Sequence, residues 1–159
     1  MRDTRAPTAV VLIRLAVGVV FASEGIQKFL YPDAVGAGRF AKIGIPAPDM
    51  MGPFVGGVEF VCGSLILAGL VTRIAAVPLI GIMLIAIAST KVPILLGHGY
   101  WLFAHPSVSK SGIWSMLHEA RTDLSMLLCS IFLLLVGAGV WSLDAHLRPR
   151  IEAPHMESR

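Results

Sequence analysis

A chain of 159 residues makes one compact unit and is too short for two ordinary domains. Hydrophobic residues make up 55%, charged residues only 14%, and the mean hydropathy is +0.77, so a water-soluble globule would be left with apolar surface it could not cover. The net charge of +3 comes from dispersed Lys and Arg with no basic stripe, which argues against a nucleic-acid partner and for membrane topology.

Residues 1–7 are short and basic and lead straight into an apolar run at 8–30. The run resembles a signal peptide, but it is long, carries Arg14 and Glu24, and no A-x-A site follows it. An uncleaved membrane helix is expected instead. Spanning a hydrocarbon core takes about 20 apolar residues, and four segments qualify: 8–30, 51–70, 74–96 and 119–140. Residues 31–50 hold Pro32, Gly36, Gly38, Gly44, Pro46 and Pro48 and read as a turn-rich loop. The link at 71–73 is so short that the second and third helices must form an antiparallel hairpin. Residues 97–118 carry Tyr100, Trp101, Phe103 and Trp114 and read as an interfacial loop with a short helix near 113–118. The tail at 148–159 reads as disordered.

The expected fold is all-α, an integral membrane four-helix bundle of up-and-down topology spanning residues 1–147. Arg2, Arg5, Arg14, Arg73, Arg148, Arg150 and Arg159 fall on the side of the termini and the short link. Arg39, Lys42 and Lys110 fall on the other side, so the positive-inside rule places both termini in the cytoplasm of a bacterial inner membrane. Arg14 and Arg73 are expected to snorkel toward the inner headgroups.

Seven further ionisable residues lie in or beside the apolar runs: Glu24, Lys28, Glu59, Lys91, Glu119, Arg121 and Asp123. A charge at the centre of a membrane helix costs roughly 2.5–3.5 kcal/mol on insertion scales, so such residues usually have a partner or a function. Folding the runs back and forth brings all seven toward the outer half of the bundle. Gly52, Gly56, Glu59 and Gly63 share one helical face, as do Arg14, Gly18, Gly25 and Lys28. The two faces would pack together, with Lys28 or Lys91 answering Glu59. Bland readings stand beside this one. Glu24 and Lys28, at i and i+4, also fit a simple rim ion pair. Lys28 and Lys91 also fit snorkelling, and Glu119, Arg121 and Asp123 also fit ordinary charges at a helix N-terminus. Glu59 is too deep for either. Cys62 and Cys129 read as buried thiols in parallel helices. His98, His105 and His118 with Glu119 form a weaker candidate for an outward-facing metal or proton site.

Arg14-Leu15, Gly18, Phe21 and Gly25-Ile26-Gln27-Lys28-Phe29 resemble the opening helix of the DoxX family of small bacterial membrane proteins. The match continues through Gly44-Ile45-Pro46-Ala47-Pro48, Val58-Glu59, Gly63, Gly69-Leu70 and Thr72-Arg73, and ends in Gly137-Ala138-Gly139-Val140-Trp141-Ser142-Leu143-Asp144. The resemblance implies a four-helix membrane bundle associated with quinol oxidase or thiosulfate:quinone oxidoreductase systems. It also implies a glutamate early in the last helix. Here that stretch reads His118-Glu119-Ala120-Arg121-Thr122-Asp123, so the role falls to Asp123 or Glu119.

The preferred expectation is therefore a quinone-linked redox component. Glu59, Asp123 and Lys28 would form a proton relay, and Glu24, Lys91, Glu119 and Arg121 a polar cluster at a bound quinone, with no metal. The partners this leaves open are the lipid bilayer, a redox partner subunit and a second copy of the chain. Two alternatives use the same residues: a non-enzymatic scaffold for redox or stress-response proteins, and a small-solute or proton pathway.

Overall fold

The computed structural model describes residues 8–147, so the expected disordered tail lies outside the described residues. Eight α-helices are found there: α1 (Val10–Leu30), α2 (Pro32–Val35), α3 (Ala37–Ile43), α4 (Pro48–Ala68), α5 (Thr72–Ala86), α6 (Val92–Leu96), α7 (Ile113–Val136) and α8 (Leu143–Leu147). A π-helical turn, Ile87–Lys91, joins α5 to α6. No strand is present among the described residues, where pairing is limited to an isolated bridge between Tyr100 and Phe103.

Three of these helices are long and apolar enough to cross a membrane: Val10–Leu30, Pro48–Ala68 and Thr72–Leu96. The expected fourth apolar span at 119–140 is not among them. Its helix starts earlier, at Ile113, ends at Val136, and carries Glu119, Arg121 and Asp123 in its first half. The expected interfacial helix near 113–118 is simply the opening of α7. The loop expected at 31–50 contains two short helices, α2 and α3, because Pro32 and Gly36 each break the chain and let a new turn begin.

Packing follows small residues and charge. On α1 the buried face includes Arg14, Gly18, Gly25 and Lys28, and on α4 it includes Gly52, Gly56, Glu59 and Gly63. A Cβ on Gly18 would meet Leu67 and Gly63, whereas one on Gly25 would meet Gly56 and Phe60. The order reverses between the two helices, so they run antiparallel with backbones in close approach. The helices α5 and α7 form a second antiparallel pair: Arg73 reaches the carbonyls of Leu135 and Val136, and Lys91 reaches Asp123. Val17, Phe21, Ile66, Leu79, Met83 and Leu133 fill the core where the pairs meet. Outward, Leu12, Val19, Phe54, Val61, Ile74, Ile85, Leu128 and Leu135 are exposed, as lipid contact requires.

One end of the molecule uses its charges on helix ends. The side chain of Arg14 is only 3% exposed. Its Nε donates to Ile66 O at 3.0 Å, Nη2 to Leu67 O at 2.6 Å, and Nη1 to Ala138 O at 3.2 Å and to Trp141 O. It ties down the last turn of α4, where Ile66 O also accepts from the Gly69 N–H at 3.0 Å. Asp144 accepts from the backbone N–H groups of Val71 at 2.9 Å and Thr72 at 3.4 Å, capping the start of α5. Arg14 is turned inward where snorkelling was expected, and the half-buried Arg73 donates to Leu135 O and Val136 O. Each lies within reach of carbonyls that a lipid environment cannot satisfy, and the planar guanidinium bonds several at once.

Candidate functional site

The opposite end is organised around charge pairs. Lys28, near the end of α1, and Glu59, midway along α4, meet with Nζ 2.5 Å from Oε2, their side chains 9% and 4% exposed. The half-exposed Glu24, one turn before Lys28, stands 3.8 Å from the same ammonium. Lys91 closes the π turn and meets Asp123 of α7, Nζ to Oδ2 at 3.2 Å. Of the two lysines that could answer Glu59, the structure selects Lys28.

Both pairs line one cavity of about 460 Å³. Its walls are largely apolar, with Val20, Phe21, Val55, Ile82, Met83 and Met126 below and Phe40, Ile43 and Ile45 above. Glu24 and Glu119 also line it. Arg121 does not: its guanidinium turns along its own helix to His118, Nη1 lying 2.7 Å from Nε2 and 3.1 Å from the carbonyl oxygen. One helical turn does not align residues two apart, so Arg121 points away from the side shared by Glu119 and Asp123.

Several lining residues lie outside the sequence-based set. Arg39 and Phe40 of α3 face the cavity, as do Ser89, Thr90 and Thr122. The spacing of Phe40 and Ile43 behind Gly36, an amphipathic half-turn pattern inside the apparent loop, was the available signal for α3. Ser89 and Thr90 precede Lys91 directly, and Thr122 precedes Asp123.

The π turn has an identifiable cause. The N–H of Val92 bonds the carbonyl of Ile87, an i to i+5 link. The next such link would take the N–H of residue 93 to Ala88, but Pro93 has none. The open Ala88 carbonyl accepts instead from the Tyr100 hydroxyl at 2.8 Å. The widened turn sets where Lys91 falls on the helix face.

The histidines do not gather. His98 bonds the Gly99 carbonyl, His105 pairs with Ser111 and His118 with Arg121. Among the described residues no group of three His, Cys, Asp or Glu side chains is placed to hold a metal ion. Cys62 and Cys129 are free thiols, both packed against the core. Of the aromatics in the loop expected at the interface, Trp101 and Trp114 are exposed, and Tyr100 turns inward to Ala88; Tyr31 and Trp141 are exposed as well.

Residues 9–98 match the DoxX family, which covers α1 through α6. The chain is also similar to an uncharacterized membrane protein of Mycobacterium tuberculosis (strain ATCC 25618 / H37Rv), 53% identical over 147 residues, which is 92% of this chain and 86% of that protein. No solved structure matches it. Residues 9–98 are more than half of the chain, whose long apolar helices suit a bilayer, and the chain belongs to the DoxX family of membrane proteins.

Proposed function

We propose that the protein crosses a bacterial inner membrane four times, with both termini in the cytoplasm, and that its cavity receives a quinone or quinol. The fourth crossing is α7, which lies against α5 from Leu135 to Asp123 and so shares its depth. Its charges are tolerable there because Asp123 is paired and Glu119 and Arg121 sit at the rim. With Arg14 and Arg73 bound to backbone carbonyls, the orientation rests on Arg2, Arg5, Arg148, Arg150 and Arg159 against Arg39, Lys42 and Lys110.

The observation that carries the reading is that a buried pair, Lys28–Glu59, and a part-buried one, Lys91–Asp123, face the same apolar-walled cavity. Ion pairs that served only to set helix register in a scaffold would need no such space beside them. The volume lies within the range of about 300–1,000 Å³ usual for small-molecule sites, and mostly apolar walls with a few placed polar groups are their usual chemistry. A flat ring with polar oxygens fits both requirements. When bound, a quinone supplies two-electron, two-proton chemistry.

The chain's own groups do the rest. The ammoniums of Lys28 and Lys91 donate to acceptor oxygens, and the carboxylates of Glu59 and Asp123 accept from hydroxyls and hold protons. Glu24, between Lys28 and the exterior, is the next stop on the way out. Phe21, Met83 and Met126 exclude water. Electrons pass to or from a redox partner subunit.

In lipid nanodiscs, saturable binding of a quinol analogue is expected in the native chain and weakened roughly tenfold or more in Glu59→Gln. Unchanged binding in that variant defeats the reading.

A further inference from the structure

The two antiparallel helix pairs share a set of contacts. In the first pair, Arg14 near the start of α1 bonds Ile66 O and Leu67 O at the end of α4. In the second, Arg73 at the start of α5 bonds Leu135 O and Val136 O at the end of α7. Each receiving helix then ends in a glycine of positive φ, Gly69 at +70° and Gly137 at +91°, each against the arginine from the partner helix: a Cβ would lie 2.5 Å from Arg14 Nη2 at Gly69 and 3.1 Å from Arg73 Nε at Gly137. Toward the other end, Lys28 meets Glu59 in the first pair and Lys91 meets Asp123 in the second. The helices of each pair are joined by connections of near-equal length, 31–47 and 97–112. The correspondence has a limit: Gly18 and Gly25 bring α1 and α4 into backbone contact, whereas Leu79, Met83 and Leu133 fill the second pair.

From these contacts we infer that the bundle is an internal repeat of two helix pairs related by an axis along the membrane normal, and that its cavity is a two-ended site. Each half presents one Lys–carboxylate pair to the shared space, with a second carboxylate on the cavity wall, Glu24 in the first half and Glu119 in the second, so the ligand that uses both ends has an apolar body and two like oxygens on opposite edges. The inference rests on the quinone reading above and narrows it to para-disposed oxygens, one for each half. Membrane proteins built from parallel repeats commonly place their ligand sites at the repeat interface. A ligand with one polar end would leave the second pair without a ligand oxygen beside it, although the pairs differ in detail: Lys28–Glu59 is shorter and more buried than Lys91–Asp123.

Two probes test this on the full chain in nanodiscs: a short-tailed para-dihydroxynaphthalene kept reduced, and the naphthol with the same tail and one hydroxyl. The diol is expected to bind the native chain roughly tenfold to a hundredfold more tightly, the worth of one hydrogen bond to a charged group. Glu59→Gln and Asp123→Asn should each weaken the diol by a similar factor. Each should leave the naphthol nearly unchanged, because its single hydroxyl turns to the intact pair. The double variant should weaken both probes. Equal binding of diol and naphthol to the native chain, or a diol weakened by Glu59→Gln and not by Asp123→Asn, overturns the two-ended site and leaves the quinone reading standing. A diol unmoved by Glu59→Gln overturns both readings. Failure of both probes to bind the native chain overturns both. The comparison of probes on the native chain decides the matter even where a variant does not fold.

Discussion

Lys28 Nζ and Glu59 Oε2 lie 2.5 Å apart where α1 and α4 close on the cavity, and neither side chain has appreciable access to solvent. Removing one member of such a pair leaves the other charge buried and unanswered, a loss of about 3–5 kcal/mol, whereas replacing both with apolar groups is often near neutral. Lys28→Met alone should therefore lower the thermal midpoint in detergent sharply, and Lys28→Met combined with Glu59→Leu should recover most of it. A double variant as unstable as the single one would show that the pair does more than neutralise itself.

Arg14 spans carbonyls from the end of α4 and from the segment after α7 with one planar fork. A lysine offers one point donor in its place. Arg14→Lys should cost roughly 2 kcal/mol or more, since each hydrogen bond to a charged group is worth about 1.5–3 kcal/mol. Ligand binding at the far end, measured on the fraction that folds, should be unaffected.

The glycines of α4 and its partner separate into two kinds. A Cβ on Gly25 would sit 2.5 Å from Gly56 O and 2.6 Å from Phe60 N, backbone atoms that cannot turn aside. Gly25→Ala should destabilise by about 1–3 kcal/mol as the helices are forced apart. Gly57 has open space around it, so Gly57→Ala should be neutral or stabilise by up to about 1 kcal/mol through helix propensity. Paired thermal melts of the two variants check the contrast.

Tyr100→Phe removes the hydroxyl that answers the Ala88 carbonyl in the π turn. The cost should be about 1 kcal/mol, with faster amide exchange confined to residues near 87–92. If exchange there is unchanged, Tyr100 does not hold the turn.

The helical period explains why so much of the α1–α4 interface was legible in advance. Gly18, Gly25, Gly56 and Gly63 repeat at spacings that can only form stripes, and a carboxylate on such a stripe must point inward. The inward placement of Glu59 follows from the same argument. Arg121 lies off the cavity although it is a chain neighbour of Glu119 and Asp123, because two residues of helix rotate a side chain most of the way to the opposite face. The π turn shifts Lys91 in a way no regular period anticipates.

Composition and periodicity by themselves determined an all-helical membrane protein, three of the four expected apolar spans, and the buried glycine faces with Glu59 among them, because each depends on local geometry and on the cost of charge in hydrocarbon. Tertiary structure alone decided which lysine meets which carboxylate, that Arg14 and Arg73 bind helix ends, and that both ion pairs open onto one cavity. Long charged side chains reach across several ångströms in many directions, and only the packed neighbours determine which partner they find.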